Sequence, residues 1–530
     1  MDAAPSDIEW ILIAAVLVLL MQAGFCYLET GLVRAKNSIN VAVKNLLDCC
    51  LATIIFVLFG FGMAFGPSLH GLVGHWPHAT EALSPVEWAA LGFQLVFCNT
   101  AATIVSGAIA ERVSTLSYLA LTALTACAVY PICAHWAWGG LLHEDGTGWL
   151  QALGFIDFAG GTVVHVVGGT MALVAVARVG PRLGRYDGQG IEPHDLNMAV
   201  QGAFFLVIGW LGFNGGSFLR MDSEVPRAVV TTLLGGAVGA ISTTIWTALR
   251  GRTPVQTVIL GLLSGLVAVT PGVHLLSLEA AATLAAVGAL LALWTEDWME
   301  HLRLDDAVSA VPVHLVAGVV GTLGLALVGD EAYFGDRSRL MQLGIQSVGV
   351  LAVIAYAAVG TYIALTLVSL ISPLRVSRQE EELGLNVSEH NAGTAVRTLL
   401  AAMERHRREG DFQGQVEVSD PMTEAGQIAT HYNAVIDRIR SDSARMEQVL
   451  EQTRQATEAM EAAQAGQEAS LVELSEWNRR AVGRELRMIE LKREVNRLLA
   501  ELNRTPQYAD DDSHDTSVAL MLPLVNDQDS

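Results

Sequence analysis

Val163-Val164-His165-Val166-Val167-Gly168-Gly169 sets one histidine inside an apolar run, and Pro312-Val313-His314-Leu315-Val316-Ala317-Gly318 repeats the arrangement much later in the chain. An ionisable side chain in the middle of a bilayer-spanning segment is costly and points to function by default. The fold follows from reading outward from these two stretches. A hydrocarbon core of roughly 30 Å needs about 20 apolar helical residues. Runs of that kind cover residues 8–28, 41–65, 88–110, 116–142, 158–179 and 196–213, then 228–248, 255–269, 275–294, 310–328 and 343–371. The expectation is an all-α polytopic membrane protein with about eleven transmembrane helices, the eighth being short. His165 falls in the fifth run and His314 in the tenth, so their helices cross in opposite directions. That is the signature of a 5+5 inverted repeat, whose interface commonly houses a substrate path.

Depth agrees with the repeat. Counting inward from Asp157, His165 lies about 12 Å along the fifth helix, and counting from Asp306, His314 lies about 12 Å along the tenth. In a core of roughly 30 Å the two imidazoles reach the middle from opposite sides. Taken singly, each reads equally as a core histidine bonded to a backbone carbonyl. As a pair at mirrored depth they read as a site. Neutral imidazoles each offer one donor and one acceptor nitrogen. Two in a row can hydrogen-bond a small polar molecule while excluding a bare alkali cation, which would lose hydration without gaining a compensating charge.

The rest of the composition fits a membrane protein with a polar extension. Of 530 residues 52% are hydrophobic and 16% charged, and the formal net charge of −22 argues against a nucleic-acid partner. Apolar runs dominate up to about Leu374, and Glu, Arg, Gln and Ala dominate beyond it. Cys26, Cys49, Cys50, Cys98, Cys127 and Cys133 lie in or beside apolar helices without CxxC spacing, and read as packing residues. Asp2, Asp7 and Glu9 make the N-terminus acidic, so the first run lacks the basic flank of a signal peptide and reads as a retained span. Arg34, Lys36, Lys44, Arg112, Arg178, Arg182, Arg185, Arg250, Arg252, Arg303, Arg375 and Arg378 fall on one set of loops, against Arg220, Arg227, Arg337 and Arg339 on the other. The positive-inside rule then puts the N-terminus outside and the tail in the cytoplasm.

Several strings around the histidines resemble the ammonium transporter (Amt/Rh) family. They are Met21-Gln22-Ala23-Gly24-Phe25 with Gly31-Leu32-Val33-Arg34-Ala35-Lys36-Asn37, Ala108-Ile109-Ala110-Glu111-Arg112, and Ala134-His135-Trp136-Ala137-Trp138-Gly139-Gly140. Asp157-Phe158-Ala159-Gly160-Gly161-Thr162-Val163-Val164-His165, the most specific of them, is joined by Gly209-Trp210-Leu211-Gly212-Phe213-Asn214-Gly215-Gly216-Ser217 and by Asp305-Asp306 ahead of His314. The resemblance covers roughly residues 8–390 and favours the bacterial Amt branch. It implies a non-enzymatic ammonium or ammonia transporter of the cell membrane, methylammonium being a further substrate, assembled as a homotrimer in the lipid bilayer without a cofactor. It also implies roles. Phe97 and Phe213 match a stacked phenyl gate with Phe93 beside them, Trp138 and Ser217 match an outer recruitment site, and Asp157 orders that site. His165 and His314 match the pore pair. Interfacial anchoring for Trp138 and plain packing for the phenylalanines are the alternatives.

Residues 1–378 make the expected membrane domain and 379–392 a linker that includes the family-like stretch Glu382-Leu383-Gly384-Leu385-Asn386-Val387-Ser388-Glu389-His390. Residues 393–440 resemble a HAMP signal-relay module, with Gly410-Asp411-Phe412, a connector Gln415-Val416-Glu417-Val418, then Thr423-Glu424-Ala425-Gly426-Gln427-Ile428-Ala429 and Asn433. A solvated linker helix is the other reading. Residues 441–505 read as a coiled-coil helix, because Met488, Leu491, Val495, Leu498 and Leu502 alternate three and four apart. Its Ala-rich part around Gly466 makes a poor seam and invites a bend. Residues 506–530 read as an acidic tail, with Asp510-Asp511-Asp512 and an apolar insert at 518–525. No kinase, cyclase or P-loop signature follows. Two functions compete on this reading: a transporter, and an ammonium sensor or transceptor signalling through the tail to a separate cytoplasmic partner. HAMP modules are usually parallel dimers and the family's membrane domain is a trimer, so the two symmetries differ.

Overall fold

The computed structural model describes residues 4–75, 83–188, 190–251, 253–393, 395–410, 412, 414–417 and 422–509. Arg252, Asp411, Val418 and the acidic and apolar stretches from Asp510 onward lie outside the described residues. The chain divides into two compact units, Met1–Arg397 and Thr398–Ser530.

The first unit holds eleven helices long and apolar enough to cross a membrane: Pro5–Leu32, Ala35–Phe65, Pro85–Ala108, Thr115–Leu141, Gly161–Val179, Leu196–Gly216, Val225–Ala248, Val255–Gly272, Leu278–His301, Val311–Val328 and Arg339–Ile371. They are called spans one to eleven below. Helix is the form that satisfies every backbone N–H and C=O internally where no water is available. Side chains such as Ile54, Leu58, Leu351, Val359 and Leu370 remain exposed on the unit, as lipid-facing residues should. Local chemistry starts the spans. Ser84 accepts from the Glu87 N–H while the Glu87 carboxylate accepts from the Ser84 N–H, with Pro85 at the first helical position. The last span is capped by Ser338. Most boundaries fall within a turn of the sequence expectation, and the eighth span gains three residues as a tight turn through Pro271. A two-stranded hairpin, Ser68–Leu69 with Val73–Gly74, is the sole sheet among the described residues.

Small residues let the spans approach. Spans one and six meet where Gly202 faces Leu28 and Gly24; a Cβ at Gly202 would lie 2.4 Å from the Leu28 nitrogen. The core then runs continuously from span one through the ends of spans five and ten, with Trp210, Phe93, Phe97 and Phe213 fully buried.

The second unit is helical throughout its regular structure. Helix Ala395–Glu409, most of which belongs to it, is followed by a connector and one continuous helix, Glu424–Glu501. Leu399, Val416 and Ala429 form a small core with Ala402, Met403 and Tyr432 against it. The Asn433 side chain donates to the Val416 carbonyl and accepts from its N–H, both at 2.8 Å, pinning the connector to the long helix. That helix passes the expected 440/441 boundary without a break and is unbroken at Gly466. It stops at Glu501, before Pro506.

Candidate functional site

Both histidines sit in a wide helical turn that opens their span: a π-helical segment, Gly161–Val166 around His165 and Val311–Val316 around His314. Such turns are rare and concentrate at functional sites. In each case an aspartate eight residues earlier holds the turn. Asp157 accepts from the N–H groups of Gly160 (3.1 Å), Thr162 (2.9 Å) and Val163 (2.8 Å). Asp306 accepts from those of Val308 (3.2 Å) and Val311 (2.7 Å). The turns are left with otherwise unpaired backbone donors, and a buried donor without a partner costs roughly 1–3 kcal/mol.

A glycine four residues after each histidine lets the two spans touch. A Cβ at Gly169 would lie 2.4 Å from the Leu315 nitrogen, and one at Gly318 would lie 2.6 Å from the Gly161 carbonyl oxygen. This approach brings the imidazoles together: their planes are 14° apart, their centroids 5.2 Å, and their Nδ1 atoms 3.1 Å. One ring must donate and the other accept, so a single proton lies between them. His165 Nε2 is buried and unpartnered.

On the side of the pair nearer Asp157 the lining is aromatic. Phe97 and Phe213 stack at 3.9 Å with planes 3° apart, and Phe93 leans on Phe97 at 4.6 Å. Phe213 is 5.4 Å from His165, so the stack lies directly beside the histidine pair. Trp138 meets Phe97 edge-on at 6.3 Å and donates its indole N–H to the Asp157 carbonyl at 2.6 Å. The Ser217 hydroxyl donates to the Phe213 carbonyl at 2.8 Å, which leaves its oxygen able to accept. Burial pushes the Asp157 carboxyl up to about 6 against the pull of its backbone N–H partners.

Below His314 the lining turns ionic. A cavity of about 370 Å³ is bordered by Asp306, Ser309 and Val313 together with Arg182, Arg185 and Glu296. Glu111 takes Arg34 and Arg182 at 2.5 Å each, and Arg182 takes Asp305 at 2.8 Å. Burial opposes ionisation of Asp305, but Arg182 and Arg112 win and hold it well below the usual carboxylate range. Glu111 is lowered in the same way, against burial, by Arg182 and Arg34. Burial brings Arg112 down to about 10; it donates to the carbonyls of Gly180, Ala110 and Asp305. The segment after span eleven docks on the same face. Leu385 donates its N–H to Asn37, Asn386 accepts from the Asn40 N–H, Glu389 accepts from the Thr115 N–H, and Glu381 accepts from the Leu183 N–H.

The structure therefore brings His165, His314, Phe97, Phe213 and Phe93 into one contact chain, with Trp138 and Asp157 joined at its end and Ser217 bonded to Phe213. Two neighbours escaped the sequence reading. Trp210 stacks on His165 at 5.0 Å with planes 13° apart and gives its N–H to Thr270 Oγ1. Phe25 faces His314 at 6.2 Å. Trp210 stands one helical turn before Phe213, a spacing that puts both on one face and was the available signal.

Comparison with known proteins identifies the family. The model of the Ammonium Transporter Family matches residues 9–395. The putative ammonium transporter sll0537 of Synechocystis sp. is 39% identical over 468 residues, covering 86% of this chain and 86% of that protein. Ammonium transporter Amt2 of Archaeoglobus fulgidus is 38% identical over 417 residues, covering 73% of this chain and 88% of its own length. Among solved structures, one named "Sensor Amt Protein" superposes with a TM-score of 0.70 at 40% identity, covering 72% of this chain and 98% of its own. Candida albicans Mep2 gives 0.65 at 26% identity, with 72% and 88% covered.

Proposed function

This chain belongs to the ammonium transporter family, a family of multi-pass membrane transporters rather than enzymes, and on that premise we propose how its residues act. Ammonium is gathered at Trp138 and Phe97, whose ring faces attract a cation, with Ser217 as acceptor and Asp157 lending negative potential. The stacked pair Phe97–Phe213 is the gate and swings aside for the substrate to reach His165. There ammonium sheds a proton and ammonia passes the imidazoles, while the shared Nδ1 proton lets charge step from one ring to the other. A potassium ion has no proton to shed and is refused.

The observation that carries this reading is the 3.1 Å Nδ1–Nδ1 contact at the crossing of two mirrored turns. The test is ammonium or methylammonium flux in proteoliposomes with His165→Ala and His314→Ala. Each substitution should cost at least about tenfold in uptake or admit potassium; unchanged rate and selectivity in either would refute it. The same reading has the protein as a homotrimer in the cell membrane, with its N-terminus outside and its tail in the cytoplasm.

The tail supports a second reading, an ammonium sensor or transceptor. The Asn433–Val416 clamp and the small core around Leu399 suit a HAMP-like relay, and the apolar side chains Met488, Leu491 and Leu498 lie exposed on one long helix, with Leu502 just past its end, ready for another copy or a partner protein. The 86% coverage against the Synechocystis relative exceeds the 73% against Amt2, so that likeness continues into the tail. A wild-type protein that binds ammonium without flux would favour the sensor.

A further inference from the structure

Span one carries a carboxylate that the transport path above does not use. Glu29 is 1% exposed in the last turn of span one, Pro5–Leu32. It accepts from Ser106 Oγ at 2.6 and 2.8 Å and from Asn45 Nδ2 at 2.8 Å. Room for its head group is made by Gly107, where a Cβ would sit 3.0 Å from the carboxyl carbon. An ionisable group buried within a membrane-spanning helix marks a path for ions or protons by default.

Two small cavities meet at this carboxyl. One, of about 10 Å³, is shared by Glu29 and His314 and is otherwise lined by apolar residues such as Phe25 and Ile104. The other, of the same size, is shared by Glu29, Lys44, Asn45 and Tyr118. Each has space for about one water. Asn45 Oδ1 is buried without a partner at the second cavity, as a water there would remedy. Beyond it Lys44 reaches Glu389 at 3.9 Å, and the Glu389 side chain is partly exposed. The 370 Å³ cavity that also begins beside Val313 and Val308 opens towards Arg182 and Glu296 instead. Only the first small cavity touches His314; the wide one adjoins it at Leu263, Val308 and Val313, so from His314 the space continues either into the wide cavity or past the Glu29 carboxyl.

We propose that Glu29 is a proton-carrying residue on the inner side of the histidine pair, taking the proton that leaves His314 and passing it towards Lys44 and Glu389 while ammonia leaves by the wide route. The proposal rests on the proton relay just described. In balance, a proton leaves His314 to a water in the first cavity. That water gives one to a Glu29 oxygen, forming O–H, and this bond then breaks to a water in the second cavity. No electrons change hands. The groups that face Glu29 are His314 from span ten, Asp48 and Lys44 from span two, Tyr118 from span four and Cys26 on its own helix. Asp48 is engaged by the Tyr118 hydroxyl.

The test uses the full chain in proteoliposomes, recording the charge displaced by an ammonium jump. E29Q keeps the hydrogen-bonded shape and cannot carry a proton. It should lower the displaced charge at least about tenfold, and E29D should restore part of it. Wild-type charge movement with wild-type pH dependence in E29Q would overturn the proposal. If the wild type displaces no charge at all, conduction fails but Glu29 is still tested. Infrared difference spectra of the detergent-solubilised full chain, with and without ammonium, should show a carboxylic-acid carbonyl band that is lost in E29Q. A band that persists there, or that is missing from the wild type, overturns the proposal. Should E29Q fail to fold, E29D must shift that band; a band that stays put belongs to another carboxyl and has the same consequence.

Discussion

The two mirrored halves share a ruler and differ in what they measure out. In each, an aspartate is followed after eight residues by a histidine and after four more by a glycine, and each opens its span with the same wide turn. The linings are unlike. The Asp157 half is faced with Phe97, Phe213 and Trp138; the Asp306 half is faced with Glu296, Arg182, Arg185 and the nearby Glu29. The lesson is a division of labour. Geometry resides in the repeat, which must place two rings at one depth. Sidedness resides in spans one, three, four, six and nine and in the loop after span five, which bring different chemistry to each mouth.

The largest effects should come from breaking the ruler. Asp157→Ala strands three backbone N–H groups and Asp306→Ala two. At roughly 1–3 kcal/mol for each buried donor left unpaired, both should lower the thermal-unfolding midpoint in detergent, the first more than the second. Equal or reversed losses would mean that the aspartates are not equivalent supports. Gly169→Ala and Gly318→Ala come next. Each would push a methyl group into backbone of the opposing span, an overpacking of about 1–3 kcal/mol. The expected result is a folded protein whose ammonium flux falls at least about tenfold, because the rings separate and positioning of that kind is worth this much. Flux at the wild-type level in both would sink the claim that the glycines set the ring contact.

Much of this was legible before any coordinates. Eleven apolar runs gave the spans, because a bilayer enforces length and composition more strictly than a soluble core does. The equal distances from Asp157 to His165 and from Asp306 to His314 foretold that the rings would meet. The π-helical turns were not legible, since a turn is widened by which N–H groups a carboxylate captures, and apolar spacing does not record that. Trp210 lies one turn before Phe213 on the same helix, and a tryptophan in an apolar helix reads equally as packing. Glu29 was not legible for a different reason: it lies one residue beyond the apolar run 8–28, and hydropathy alone does not show that the helix carries on to Leu32. In the tail, a long helix was readable from the spacing at Met488–Leu498, whereas its continuity through residue 440 was not, because no capping residue or proline marks either choice.

The smallest effect, and the sharpest contrast between the halves, is in their response to pH. Burial raises the Asp157 carboxyl from 3.8 to about 6, so the folded state holds its proton more tightly than the unfolded chain does. Its contribution is therefore favourable below about pH 4 and is lost as pH rises through 6. Asp305 behaves in the opposite sense. Held below 3.8 by Arg182 and Arg112 in spite of burial, it contributes stability above about pH 4 that is lost as pH falls towards its folded value. One proton changes stability by at most roughly 1.4 kcal/mol per pH unit. Unfolding midpoints of detergent-solubilised protein at pH 3 to 7 separate the two. From pH 4 to 6 the wild type should lose stability relative to Asp157→Asn, and below pH 4 it should lose stability relative to Asp305→Asn. A wild type parallel to Asp157→Asn across the upper window would place that carboxylate in water, and the aromatic mouth would then lack the dry wall on which cation attraction there depends.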